Sequence, residues 1–358
     1  MKMIQVVPSL RLGGAEIMCE NLTTRLVEQG QDVTVACLYD TDSPITRRLQ
    51  DRGIRLRFFG KKRGVDLSMI GKLQRLFEEE RPEVVHTHTH TVQYAVPAAR
   101  RAGVPALIHT VHNIAVEEQI RPIRMACAYF YRRGWVTPVA LSAEIRRTVE
   151  REYGLPSERI PVIYNGIDLG RCIPKESYSP EGPFTVVNVA RFDPQKNHEG
   201  LLRAFAALRE RRPDSELLLI GDGALRGGME ELAAALGISG AVRFLGEQSE
   251  VYGFLNRADV FALPSHFEGM PMSLIEAMGT GLPIVAAGVG GVPDMLSDGA
   301  EAWLTDDSPE SAAAALIAAA EDEGERERRG RAARKRSEQF SSQAMAEAYI
   351  ELYQSRIK

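Results

Sequence analysis

Short apolar runs, each closed by a loop holding glycine, proline or histidine and followed by a helix-like stretch, recur along this chain. Segments 2–7, 32–38, 105–108, 184–189, 216–220, 242–246 and 259–263 have this form. A strand whose chain passes through a helix before reaching the next strand pairs parallel to it, and the helices then cover both sheet faces. The alternation therefore predicts an α/β chain built on parallel sheets. With 358 residues there is enough chain for two domains, each with its own core. Segment 161–167 reads as the last strand of the first half. After it, P-K-E-S-Y-S-P-E-G-P at 174–183 holds three prolines and a glycine in ten residues, which no regular element tolerates well. The expected division is residues 1–174, residues 175–340, and a final helix over 341–358.

Composition narrows the class. Hydrophobic residues make up 44% and charged residues 26%, values ordinary for a soluble globular protein. No apolar run approaches the roughly 18 residues that a membrane span needs, and M-I-Q-V-V begins a strand rather than a signal peptide, so a cytoplasmic location is expected. Cys19, Cys37, Cys127 and Cys172 stand far apart with no C-x-x-C pair, which indicates neither a zinc knuckle nor a disulfide framework. The net charge of −4 hides an asymmetry: residues 1–174 carry 25 basic and 19 acidic side chains, residues 175–358 carry 19 and 29. The basic half should face any anionic partner.

The stretch with most chemistry runs from Leu263 to Ala286, L-P-S-H-F-E-G-M-P-M-S-L-I-E-A-M-G-T-G-L-P-I-V-A. It reads as a buried strand, a loop over 264–269, and a helix that starts at Pro271 and ends before Gly279. Glu268 lies in the loop and Glu276 within the helix. Unpaired N–H groups at a helix start suit a phosphate, and a carboxylate set back from them can grip a ribose diol. Arg191 and Lys196 stand in another strand-to-helix loop, A-R-F-D-P-Q-K-N, and offer fixed cations for a leaving diphosphate. Gly13 and Gly14 follow the first strand, where a loop backbone can approach a ligand closely. Gly288 and Gly290 half-match a dinucleotide loop, a weak signal. In P-E-V-V-H-T-H-T-H, period two places His86, His88 and His90 on one side of an extended segment. Three ligands so splayed suit one metal ion poorly, and the end of a parallel strand beside a ligand crevice is the better reading. His109 and His112 occupy a similar position.

Taken together and in order, G-G-A-E, H-T-V-H-N, Y-N-G-I-D, A-R-F-D-P-Q-K-N, D-V-F-A-L-P-S, E-G-M-P-M-S-L-I-E-A-M and V-G-G-V-P-D resemble the family 4 glycosyltransferases of the GT-B fold. The resemblance implies two Rossmann-like, doubly wound domains facing a cleft, the first binding an acceptor and the second a nucleotide-sugar, with the last helix crossing back to the first. It implies a retaining sugar transfer with no cofactor and no essential metal. Carried over by position, Glu268 and His112 lie at the donor sugar and are the catalytic candidates. Gly14, Arg191 and Lys196 face the diphosphate, Gly269, Met270, Met272 and Ser273 line the donor site, and Glu276 holds the ribose. A UDP-sugar and a hydroxyl acceptor in glycan or cell-surface polysaccharide synthesis are expected, and nucleic acid is not. A sugar-nucleotide isomerase of 2-epimerase type and a binding subunit without turnover are the alternatives.

Two basic stretches add a question of location. Arg55, Arg57, Phe58, Phe59, Lys61, Lys62 and Arg63 could touch an anionic membrane surface, or form a strand ending in a solvated loop. Residues 119–135 mix four arginines with aromatic residues, a composition that fits a large acceptor, a membrane or ordinary packing. The charged run before residue 336 reads as a solvated helix face.

Overall fold

The computed structural model describes residues 1–357. It forms two compact units: residues 1–166 with those from Ser342 onward, and residues Ile167–Ser341. The first unit holds strands β1 (Lys2–Val7), β2 (Asp32–Cys37), β3 (Arg55–Phe58), β4 (Val84–His88), β5 (Ala106–Val111) and β6 (Thr137–Ala140). They form one sheet in the order β3-β2-β1-β4-β5-β6, parallel throughout. The second unit repeats the plan with β7 (Thr185–Val189), β8 (Glu216–Ile220), β9 (Val242–Phe244), β10 (Val260–Leu263), β11 (Ile284–Ala287) and β12 (Ala302–Thr305). Its order is β12-β11-β10-β7-β8-β9, again parallel. The inner strands β4, β5, β10 and β11 are buried along their whole length, because helices cover both faces. No helix among the described residues is long and apolar enough to cross a membrane.

Several local expectations change. The last strand of the first sheet is β6, whereas segment 161–167 makes only isolated bridges, Ala140 with Val162 and Ile167 with Ser341. Four residues containing Pro138 argue against a strand, but β6 lies at the sheet edge, where a missing N–H is tolerated. The proline-rich stretch 174–183, expected as the linker, packs on the second unit. There the Lys175 N–H donates to the Thr280 carbonyl at 2.8 Å and the buried Tyr178 hydroxyl to the Gly281 carbonyl at 2.9 Å. Prolines prevent a regular element; they do not prevent an extended strap from packing.

The charged helix Glu323–Ser337 is more than a solvated face. Arg326 is buried and donates to the carbonyls of Tyr178, Ala319 and Ala320, and Arg336 donates to those of Asp294 and Met295. These guanidiniums satisfy carbonyls in the last turns of two helices, and that of Tyr178 in the strap. The last helix, Ser342–Arg356, buries Met345, Ala346, Tyr349 and Tyr353 within the first unit, where Arg25 donates to the Ser342 hydroxyl at 2.9 Å.

Candidate functional site

In sheets of this strand order the direction of winding reverses between the two central strands, so the loops leaving their C-terminal ends diverge and open a crevice. In the second unit those strands are β7 and β10, and their loops carry Arg191–Lys196 and Pro264–Glu268. Lys196 Nζ reaches both Glu268 carboxylate oxygens, at 2.7 and 2.9 Å, and the Ser265 hydroxyl donates to Oε1 at 2.6 Å. The two loops are also tied by one backbone bond and two bonds from side-chain amides to backbone carbonyls. The Gln195 amide donates to the Phe267 carbonyl at 2.8 Å, the His266 N–H to the Gln195 carbonyl at 2.9 Å, and the Asn197 amide to the Pro264 carbonyl at 3.0 Å. Asn197 adopts a left-handed conformation, φ 51°, and its side chain caps the helix His198–Arg211 by accepting from the Gly200 N–H. Glu268 is only 3% exposed, so its charge stands in the protein rather than in water, compensated by the ammonium.

The glycine-rich turn at 288–294 has its role here. Gly291 donates its N–H to the Glu268 carbonyl at 3.0 Å. Gly290 has φ +57°, and a Cβ on it would stand 1.8 Å from that same carbonyl oxygen. The half-matched dinucleotide pattern is thus a backbone contact that seats Glu268.

The helix of the acidic stretch runs from Met272 to Thr280, with Pro271 as its N-cap and no side chain capping it. It passes through Gly279 and stops at Gly281, which has φ +74°. Gly279 serves packing instead: a Cβ there would meet Cys172 Sγ at 2.6 Å. Glu276, 7% exposed, has its carboxyl pushed up to about 7 by burial, opposed by the nearby Arg171 charge and a Tyr252 hydrogen bond and reinforced by Glu250. Arg171 pairs with Glu250 at 2.7 Å and lies over the Tyr252 ring at 4.9 Å.

The expected site residues therefore divide. Lys196 and Glu268 are in contact, while Glu276 belongs to a neighbouring cluster with Arg171, Glu250 and Tyr252. Gly269, Met270 and Met272 are buried between the two acids in sequence, and Ser273 is partly exposed. Arg191 does not join Glu268: its side chain is 68% exposed and pairs with Asp193 at 3.1 Å across its own loop. Ser265 and Arg171 escaped the sequence reading. Ser265 gave a weak signal, a hydroxyl three residues before Glu268, whereas Arg171 gave none.

In the first unit the reversal falls between β1 and β4. Gly14 is exposed and begins the helix Gly14–Glu28 after β1. The histidines in and after β4 and β5 each have protein partners. His86 bonds Tyr353 and Thr110, both at 2.7 Å, and Thr110 bonds Tyr349 at 2.7 Å, which seats the last helix. His88 bonds Gln5 at 2.7 Å and His112 Nε2 at 3.1 Å. His90 lies beyond the strand and meets Gln119 at 2.9 Å. Burial holds His109 and His112 down to about 3, so they are neutral hydrogen-bonding groups at ordinary pH. The buried Glu118 carboxyl accepts the His112 N–H at 2.9 Å and is pushed up to about 8. Among the described residues, no group of three or more His, Cys, Asp or Glu side chains converges to hold a metal.

The expected membrane patch is weaker than its composition suggests. Arg55 pairs with Asp32, Arg57 meets Glu80 at 3.7 Å, and Lys61 is turned onto Tyr39 at 3.0 Å.

Comparison with known proteins gives a consistent picture. Residues 172–336 match the family described as glycosyl transferases group 1, and residues 12–171 match Glycosyltransferase Family 4. The chain is 30% identical over 243 residues to the Escherichia coli UDP-Gal:alpha-D-GlcNAc-diphosphoundecaprenol alpha-1,3-galactosyltransferase, covering 63% of each chain. It is 29% identical to the EpsF protein of Bacillus subtilis strain 168, over 79% of this chain and 78% of that one. Its fold matches Anabaena Alr3699/HepE, solved with UDP and glucose, with a TM-score of 0.87 and 20% identity over 99% of this chain and all of that one. The lipopolysaccharide outer core galactosyltransferase WaaB matches with a TM-score of 0.73 and 20% identity, over 99% of both chains.

Proposed function

Because the chain belongs to the family 4 glycosyltransferases, with the two-domain GT-B fold, we propose that it transfers a sugar from a nucleotide-diphosphate donor to a hydroxyl acceptor with retention of configuration. The observation that carries the reading is the Lys196–Glu268–Ser265 knot at the crevice of the second unit, with Arg191 exposed in the same loop as Lys196. As the bond between the anomeric carbon and the diphosphate oxygen breaks, negative charge grows on the leaving group. Lys196 and Arg191 would stabilise that charge more than the ground state. Arg191, held only by an exposed pair, can turn to the phosphate at small cost.

Glu276, when ionised, accepts from the ribose hydroxyls, and Arg171 favours that ionised form. Glu268 stands beside the donor sugar. The acceptor oxygen bonds to the anomeric carbon on the face the diphosphate leaves, and its proton passes to a leaving phosphate oxygen, so no protein nucleophile is required. The proposal includes Gly14 at the donor phosphates and His112, as a neutral imidazole, at the donor sugar. UDP is the expected nucleotide, since the E. coli relative is named for UDP-Gal and HepE was solved with UDP. The acceptor is proposed to be a saccharide carried on a lipid diphosphate, the class named for that relative.

Incubating the protein with UDP-, GDP- and ADP-sugars and lipid-diphosphate-linked saccharides, with release of nucleoside diphosphate as the readout, tests the proposal. Expected is turnover of one UDP-sugar that falls at least tenfold in both Lys196→Ala and Glu276→Ala. Conversion of the donor into another sugar nucleotide without acceptor would establish the isomerase instead.

A further inference from the structure

The helix Arg121–Arg132 of the first unit buries Cys127, Phe130 and Tyr131, yet its opposite face is not an ordinary polar surface. Arg121, Met125 and Tyr129 follow one another at four-residue spacing and form a stripe, with Arg132 and Arg133 at its end. Met125 is 68% exposed and Tyr129 47%, and Ile120, just before the helix, is 65% exposed. Of nine exposed large apolar side chains in the described protein, four fall between Val116 and Tyr129, so the apolar exposure is concentrated here.

Apart from Arg124, the arginines of this face are not paired with a carboxylate. A cavity of about 670 Å³ opens beside the stripe, lined by Arg121, Arg124, Met125, Tyr129, Arg132 and Arg133 among others. Arg124 is committed to Glu152 at 2.9 Å. Arg132 donates to the Tyr153 carbonyl at 2.9 Å, and Arg133 lies over the Tyr129 ring at 5.4 Å. Among the described residues, no carboxylate pairs with Arg121, Arg132 or Arg133. Guanidiniums left free of carboxylates around a cavity suit phosphate oxygens, which they can grip in pairs. Apolar and tyrosine side chains beside such cations suit the interfacial layer of a bilayer, where an apolar body and a charged head are both satisfied. The basic stretch 55–63 lacks this combination, because Asp32 and Glu80 already answer two of its cations.

We propose that the Arg121–Arg133 face docks the protein on a bilayer surface rich in anionic phospholipid, with Arg121, Arg132 and Arg133 on headgroup phosphates and Ile120, Met125 and Tyr129 in the interfacial layer. The inference deepens the reading of a lipid-borne acceptor, and docking itself needs no turnover.

Co-sedimentation of the full chain with phosphatidylcholine vesicles, with and without phosphatidylglycerol, tests it. Binding is expected only to the anionic vesicles, weakening with salt and falling about fivefold per arginine in Arg121→Gln and Arg133→Gln. Ile120→Ser with Met125→Ser should abolish it, while Arg55→Gln with Arg57→Gln should leave it unchanged. All these side chains are exposed, so unaltered thermal unfolding is expected and checked first. Binding unchanged by the arginine and apolar variants, or no binding to anionic vesicles, overturns the proposal. So does a concentration-dependent dimer that the apolar variants abolish, which would assign the face to a second copy. Vesicle binding with no sugar transfer to any acceptor would leave the docking face standing and sink the transferase reading alone.

Discussion

Glu276→Gln separates the proposed ribose contact from the cost of keeping that carboxyl buried. Burial moves the group from 4.5 to about 7. Its folded-state value therefore lies above the unfolded one, and the folded protein holds a proton that the unfolded chain has already lost. Stability must fall as pH climbs from about 4.5 to about 7, and stay level above it. At about 1.4 kcal/mol for each pH unit in that window, the ionised carboxyl costs the fold about 3 kcal/mol at pH 8. Glutamine has the same shape and carries no charge to desolvate. The variant is expected to unfold about 1–3 °C above the wild type at pH 5 and about 6–12 °C above it at pH 8, at roughly 2–4 °C for each kcal/mol. Thermal unfolding of both proteins from pH 5 to pH 8, with and without UDP, reads the whole prediction. UDP should raise the wild-type midpoint more at pH 8 than at pH 5, as the carboxylate forms, and should raise that of the variant far less. A gap between the proteins that does not change with pH would refute the burial argument, and equal shifts with UDP would refute the ribose contact.

Lys196→Met leaves the Glu268 carboxylate buried without its cation, and a loss of about 3–5 kcal/mol is expected in chemical denaturation. The double variant Lys196→Met with Glu268→Gln should recover most of that stability and none of the transfer. Arg191→Ala, at an exposed side chain, should leave stability within about 0.5 kcal/mol while lowering transfer at least tenfold, because its proposed work is done only on the diphosphate. Gly290→Ala puts a methyl group 1.8 Å from the Glu268 carbonyl oxygen at a φ of +57°. Displacement of the Glu268 loop should lower soluble yield and abolish stabilisation by UDP; unchanged yield and UDP response would show that the turn does not seat that loop.

The parallel α/β architecture was legible because a strand covered on both faces must be apolar along its length, as in V-F-A-L at 260–263, whichever strands become its neighbours. Residue order also brought out the acids of 268 and 276, the cations of 191 and 196 and the glycines of 288–294, since each stands in a strand-to-helix loop or, for Glu276, in the helix that follows one. Their pairing was not legible. Lys196 meets Glu268 because β7 and β10 are neighbours in the sheet, a fact of strand order that no local pattern encodes. Arg171 reaches the Glu276 cluster because the stretch after Ile167 packs on the second unit instead of linking two bodies. Gly279, read as a helix stop, is a contact point for Cys172, and Arg326, read as solvated, is buried against carbonyls. Periodicity and residue type determined which segments become strands and helices, because burial of a face is a local demand. Which charge answers which, and how far each is removed from water, was decided only when residues dozens of positions apart packed together, because desolvation and Coulomb energy depend on distance in space rather than along the chain.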